Sequence, residues 1–471
     1  MVHLPRQLTD FLREPGEVGE RGEVSFFILA DPPIDRLLGF AQGHGRLRAI
    51  VKAELPPLVA PFRGERYAAK ELSALIAPPY DVISREDRTR YAARDPHNIA
   101  HLILPEAPSG GVRGGGGDRY AHAATLLAAW REAGVVRPDP AESVYIVAQD
   151  YAVPSGERRT RIGMLAAVRA EPFETRRVRP HEQTHAAPKA DRLALLRATA
   201  ANLESIFLLA PDPDRMLAQA LVRRASGVPA ARAELDGVGI RLWVTSGDQA
   251  AELARLAGRA QLYIADGHHR YETAVAYARE EPSADHVLSF VVSAGDPGLT
   301  ILPTHRIIFG AGRDATKLVA AWREWFEVGR VAPCMDRVER LAELGRERTA
   351  CIVAFPDAYD VTLVLKNDAP LDDVSDLATT PAVRALDVAR IESLVVQRIL
   401  GAGTATPSLA YTPDPHAAFD AVRHGRAAAA VLLNPTKVRD VFAVADAGDV
   451  MPPKSTYFVP KVPSGLVIRA V

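Results

Sequence analysis

Tyr263-Ile264-Ala265-Asp266-Gly267-His268-His269-Arg270-Tyr271-Glu272-Thr273-Ala274 is the stretch that decides the fold. Gln261 to Ala265 reads as a short buried strand, and Gly267 permits the tight turn that ends it. Tyr271, Ala274, Val275 and Ala278 then recur at helical spacing, so a helix starts near His268. Its first turn carries His268, His269 and Arg270, the wrong sign for a helix end whose unsatisfied N–H groups are already positive. Like charge there costs about 0.3–1 kcal/mol per group at the surface unless an anion is bound. Free amides, two imidazoles and a guanidinium after a glycine turn are what a phosphate group needs. The plainer reading is a helix capped by Asp266 with its histidines merely solvated.

Composition sets the frame around that turn. A chain of 471 residues, 48% hydrophobic and 24% charged, buries a sizeable core and has room for two or three domains. The net charge of −1 gives no overall surplus for a polyanion, so nucleic acid is not an expected partner. Cys334 and Cys351 have neither a metal spacing nor a disulfide framework and fit a reducing cytosol. The sequence has no export-signal pattern and no run of about 18 apolar residues, so a cytoplasmic protein with no membrane partner is expected.

Working outward along the chain, residues 1–57 read as an extension that is loosely ordered. Glu14 to Glu23 is dense in glycine and charge, and Val24 to Leu29 offers one strand. Residues 58–310 form the expected core and 311–471 a C-terminal mixed α/β subdomain. Ala77-Pro78-Pro79-Tyr80-Asp81 forces an extended turn, because a residue before proline avoids the helical region. That turn either pushes Tyr80 and Asp81 into a cleft or simply connects, with Asp81 capping the Ser84 segment. Ser109 to Asp118 is a glycine-rich loop without the Lys-Ser/Thr ending of a nucleotide-binding P-loop. Asp118 to Glu132 reads as a helix, and Val144–Ala152 with Arg161–Ala170 as a strand hairpin through Pro154-Ser155-Gly156.

His181-Glu182-Gln183-Thr184-His185 matches the spacing of a zinc protease, two histidines four apart around a glutamate. Pro180 and Pro188 leave too little helix to hold both histidines on one face, and that reading is rejected. The segment reads instead as a polar loop facing the cleft, with His181 and Glu182 near a bound phosphate or metal. In the helix that follows, Lys189 and Arg192 are either anion ligands or a solvated face, with Leu193, Leu196 and Ala200 inward. Further on, Pro303-Thr304-His305-Arg306 offers a second anion ligand or a surface pairing, and Ala382 to Leu400 reads as one helix ending at Gly401. Met451-Pro452-Pro453-Lys454-Ser455-Thr456-Tyr457 closes the chain and either places Lys454 on phosphate or is structural.

The Asp-Gly-His-His-Arg turn after a strand resembles the phosphate-binding turn of the ParB and sulfiredoxin-like superfamily, which includes free-serine kinases. The wider chain, from about Val59 on, resembles the family of domain of unknown function 1015. Seven blocks in order carry that likeness: Pro61-Phe62-Arg63-Gly64, Ala77 to Ile83, Pro180 to Thr184, Lys189-Ala190-Asp191-Arg192, the Asp266 turn, Leu302 to Arg306, and Met451 to Phe458. The resemblance implies a mixed α/β (α+β) fold, a ParB/sulfiredoxin-like phosphate-binding core with additional mixed α/β subdomains.

The function implied is a small-molecule kinase that uses ATP or ADP with Mg2+ to phosphorylate a hydroxyl, free L-serine being the first candidate. Phosphoryl transfer needs cations on the migrating phosphate, a divalent metal and a group that takes or positions the hydroxyl. Gly267, His268, His269, Arg270, His181, Lys189, Arg192 and Lys454 are the candidate phosphate ligands. Asp266, His268, Glu182 and Asp81 are the candidate catalytic groups, Asp266 and Glu182 the metal ligands, and Tyr80 and Thr184 the substrate contacts. The partners expected are the nucleotide, the small substrate and a second copy in a homodimer. The alternative is a ParB-like switch that binds CTP or ATP without kinase activity, although no helix-turn-helix with a basic recognition helix is found. Sulfiredoxin chemistry needs a cysteine in the turn, where this chain has His268.

Overall fold

Nine strands among the described residues pair into one mixed sheet: β1 (Val59–Ala60), β2 (Ser143–Ala152), β3 (Arg158–Arg169), β4 (Val178–Arg179), β5 (Ile206–Ala210), β6 (Ala231–Leu235), β7 (Val238–Ser246), β8 (Leu262–Asp266) and β9 (His286–Ser293). The computed structural model describes residues 55–107, 117–310, 314–331, 336–356, 359–374, 377, 380–401 and 408–471. The order across the sheet is β4-β8-β5-β9-β3-β2-β7-β6, with β1 added alongside β3. Only β4–β8 and β5–β9 are parallel. The β2–β3 hairpin is the one expected from the sequence, turning through Gly156 at φ +85°.

The inner strands β5 and β9 read as nearly unbroken apolar runs because both faces of the sheet are covered there. On one face Ile146, Met164, Leu208 and Ile264 pack with the helices Met216–Arg224, Gly247–Ala257 and α2 (His268–Glu280). On the other face Tyr145, Leu165, Leu209 and Phe290 pack with Phe458, Leu466 and Ile468 from the end of the chain. The helix α1 (Ala186–Thr199) starts three residues earlier than the Lys189 start expected. Pro188 falls in its first turn, where the missing N–H costs no helical bond. Arg192 of α1 is buried and Ala200 exposed, the reverse of the sequence reading; Leu193 is half-buried.

Six further strands, His305–Phe309, Phe326–Arg330, Ala350–Ala354, Val361–Leu365, Ser408–Thr412 and Ala429–Leu433, make a fully antiparallel second sheet. The chain then forms two further two-stranded pairings. Tyr457–Val459 pairs with Thr300–Leu302, and Arg469–Ala470 with Ala201–Asn202. Pro57–Val471 is one compact unit. The expected extension, apart from residues 55–57, lies outside the described residues, as do Ser109 to Gly116 and Cys334.

Two expectations in the second half are corrected. Ala382 to Leu400 is not one helix: Pro381–Arg384 stops, Leu386 is extended, and Asp387–Ile391 restarts into a π turn at Glu392–Val396. Trp322 Nε1 donates to the Leu394 carbonyl at 3.1 Å, drawing that carbonyl toward a tertiary partner. His305 and Arg306 are not a surface pair. They are 2% and 1% exposed, His305 Nδ1 accepts from the Leu433 N–H, and Arg306 pairs with Glu392 at 3.3 Å.

Candidate functional site

The site grows from the end of β8. Pairing with β5 shifts register between Ile264 and Asp266, an irregularity of the kind that re-aims a side chain at a strand end. Gly267 then takes φ +89°, the left-handed region that glycine adopts without strain. Among the described residues no side chain caps α2, so the reading of Asp266 as a helix cap does not hold. Asp266 instead accepts from Lys461 Nζ through Oδ1 and from Arg270 Nη2 through Oδ2, both at 3.3 Å.

Arg270 is the hub of the turn. Its Nη1 donates to the Ser205 carbonyl at 2.5 Å, and Nη2 also stands 3.9 Å from Asp81 Oδ2. Its Nε and the Ser205 hydroxyl are buried without a protein partner among the described residues. Buried polar groups left in that state cost about 1–3 kcal/mol each, so water or a ligand is the expected complement. Asp81 lies in the short helical turn Tyr80–Val82, and Ser84, not Asp81, caps the helix that follows.

The two carboxylates are held apart in charge. Burial pushes Asp266 up, but Lys461 and Arg270 more than offset it and keep the carboxyl below its ordinary value. Burial and the neighbouring Asp266 charge push Asp81 above its ordinary value, although 38% of its side chain meets solvent. Two carboxyl groups driven in opposite directions beside one guanidinium are a common arrangement at catalytic sites.

The histidines are not the cations that the sequence suggested. His268 is 3% exposed and packs edge-on against His181 at 4.8 Å between ring centroids. Its Nε2 accepts from the His181 N–H at 3.4 Å, while Nδ1 lies 3.6 Å from Glu182. Burial lowers the pKa of His268 to about 4 and of His181 to about 3, so both are neutral near pH 7. His269 Nε2 accepts from the His185 N–H at 2.9 Å, and burial lowers its pKa too. Of the three side chains on the first turn, Arg270 alone carries positive charge.

The Pro180–Thr184 loop and the Ala77–Ile83 turn both reach the Asp266 turn, through His181 and Glu182 on one side and Asp81 on the other. His181 is in a loop and His185 precedes α1, so the two histidines share no helical face. Thr184 Oγ1 and Lys189 Nζ both bond Glu272 of α2, at 2.8 and 2.6 Å. Arg192 is spent on Asp191 and Glu204 and on the Ile103 carbonyl, and its guanidinium lies 4.2 Å over the Tyr80 ring. It shapes the Tyr80 turn, whose N–H also donates to Glu204. Lys454 is exposed, while its neighbour Thr456 contacts His181 Nε2 at 3.2 Å.

Three residues escaped the sequence reading: Lys461, Glu204 and Glu272. Glu272 sits one helical turn beyond His268, on the quoted stretch, and its spacing was a usable signal. Glu204 and Lys461 carried none, because each meets its partners only through the fold.

The sequence profile of the family described as "Protein of unknown function (DUF1015)" matches residues 59–389. No curated protein sequence matches the chain. Among solved structures, a conserved hypothetical protein from Pyrococcus furiosus aligns over 64% of this chain and 93% of its own, at 14% identity and TM-score 0.33. A free serine kinase in complex with AMP covers 63% of this chain and 87% of its own, at 14% identity and TM-score 0.33. SbnI with C-terminal truncation from Staphylococcus aureus covers 63% and 84%, at 11% identity and TM-score 0.32. These likenesses are too loose for any activity to be read across.

Proposed function

The chain belongs to the family of proteins of unknown function DUF1015, and we propose that it is a small-molecule phosphotransferase acting on a hydroxyl. The observation that carries the reading is Arg270, fixed between Asp81 and Asp266 at a helix start that has no side-chain cap, with a buried Nε left unpaired, among the described residues. The helix end supplies about 0.3–1 kcal/mol toward an anion, whereas a charge-assisted bond supplies about 1.5–3. Arg270 therefore dominates phosphate binding and the amides orient it.

In this reading the nucleotide's terminal phosphate sits on the turn. The acceptor oxygen bonds to that phosphorus as the bridging P–O bond breaks, and the hydroxyl proton passes to Asp81. Asp81 suits the base role because its raised pKa strengthens it, while Asp266 is neutralised by two cations. His268 and His181 position Glu182 and the turn as neutral groups. Magnesium supplies further charge neutralisation when nucleotide is bound. Glu182, 39% exposed, has the open carboxylate for it, and both Asp266 oxygens are already engaged. Among the described residues no three metal-binding side chains converge, and magnesium held by one carboxylate with phosphates needs no such cluster. Free serine as acceptor, and a ParB/sulfiredoxin-like core, rest on the resemblance of the Asp-Gly-His-His-Arg turn.

The test is incubation with ATP or ADP, magnesium and a panel of hydroxyl metabolites headed by L-serine, read by phosphorus NMR and mass spectrometry. The expected result is one phosphorylated product with matching loss of the nucleotide's terminal phosphate. Nucleotide binding with no transfer to any acceptor replaces this reading with the nucleotide-switch one.

A further inference from the structure

We infer that Lys461 is a catalytic residue whose ammonium contacts the terminal phosphate of the nucleotide on the Asp266 turn, an inference that rests on the phosphotransfer reading above. Lys461 lies outside every block that marked the site in the sequence and 195 residues from Asp266. Its side chain is 19% exposed and, among the described residues, its Nζ makes one protein hydrogen bond, to Asp266 Oδ1, with the Tyr457 ring 4.7 Å away. An ammonium has three donors. Two are left for an acceptor on the turn that follows Asp266.

The lysine's mounting argues for a placed group. Arg161, fully buried, donates to the Pro460 carbonyl at 2.5 Å and to the Val459 carbonyl at 3.3 Å, and shares Gln149 Oε1. Gln149 in turn donates to the Lys461 carbonyl at 3.0 Å. A guanidinium without a carboxylate partner is costly to bury, enough here to lower its pKa to about 10. Its bonds go to the backbone immediately before Lys461, so the effect of that cost is to fix where the lysine begins.

Charge explains why a second cation is needed. Arg270 is shared between two carboxylates, and a terminal phosphate brings about two further negative charges. Lys461 faces Asp266 and Asp81, both of which keep it protonated against the pull of burial. As a compact charge on a flexible stem, a lysine can shift from carboxylate to phosphate, which the planar, forked arginine does less readily.

The experiment compares wild type, K461M, K461Q and K461R, using ATP, ADP and AMP with magnesium. Calorimetry gives the dissociation constants, single-turnover transfer gives the rate, and thermal melting gives the folded fraction. K461M is expected to lose on the order of 10²–10³-fold in transfer rate. It should bind the phosphate-donating nucleotide about tenfold more weakly, while the nucleotide left after transfer changes less than about threefold. K461R should recover part of the rate, and K461Q, which still donates to Asp266 without charge, should not. If K461M does not fold, the K461Q and K461R pair carries the same comparison. Equal weakening for both nucleotides with an unchanged rate would mean that Lys461 only braces Asp266, and the inference falls. A wild-type chain that transfers phosphate beside an equally active K461Q overturns the inference alone; a wild-type chain that binds no nucleotide overturns the underlying reading as well.

Discussion

Arg270 Nη2 stands 3.3 Å from Asp266 and 3.9 Å from Asp81, bridging a turn and a segment 185 residues upstream in the chain. Removing that bridge leaves Asp81 without its guanidinium partner and Asp266 with Lys461 alone, and takes away the one positively charged side chain on the first turn of α2. Arg270→Ala is expected to weaken nucleotide binding by about 1.5–3 kcal/mol, measured by calorimetry on folded protein. Unchanged affinity would move the phosphate site away from this turn.

The asymmetry between the two carboxylates makes a second prediction. Asp81→Asn should lower the transfer rate by roughly 10²-fold or more with nucleotide affinity nearly intact, the scale of a lost acid–base group. Asp266→Asn should disturb both, because Lys461 and Arg270 lose the partner that positions them. Steady-state kinetics beside calorimetry separates the two patterns. If Asp81→Asn turns over normally, the proton goes elsewhere, with Glu182 the next group to substitute.

Gly267 is a third point of attack. A Cβ there meets Arg270 Nε at 3.1 Å, and φ +89° strains any other residue. Gly267→Ala should cost about 1–2 kcal/mol of stability and displace the guanidinium. A melting temperature equal to wild type would argue that the turn takes another conformation.

The buried imidazoles predict a pH dependence of stability. Folding lowers the pKa of His268 from 6.5 to about 4 and of His181 to about 3, mainly by burial. The unfolded chain therefore binds more protons below about pH 6.5, and stability is lost as pH falls toward 4, by up to about 1.4 kcal/mol per unit for each group. Asp81 contributes with the opposite sign, so the comparison uses wild type against His268→Gln, melted at pH 7, 6 and 5. The variant should lose less stability on acidification; parallel curves would place His268 in water.

The turn was legible in the sequence because its signals are local: an apolar run, a glycine and a 3.6-residue period within a dozen residues. The Tyr80–Asp81 turn and the His181–Glu182 loop were legible as breaks, since proline beside polar residues interrupts regular structure. Charge state was not legible. Nothing local says that His268 is buried under His181, so two histidines read as cations when their surroundings make them neutral. Arg306 and Arg192 misled in the same way, because a long basic side chain is solvated or buried according to neighbours distant in sequence. The π turn at Glu392–Val396 was hidden for a related reason, since the Leu394 carbonyl answers to Trp322, 72 residues earlier.

The bond between Asp266 and Lys461 also sets an order of events in synthesis. A ribosome adding roughly 5–20 residues per second needs about 10–40 s to travel from Asp266 to Lys461. For that interval the strand, glycine turn and first helical turn exist without the lysine and without the backbone that Arg161 grips. A chain interrupted there would carry the turn and both carboxylates but not their second cation. On the phosphotransfer reading, the buried arginine thus ties completion of the site to a segment made 195 residues after the turn.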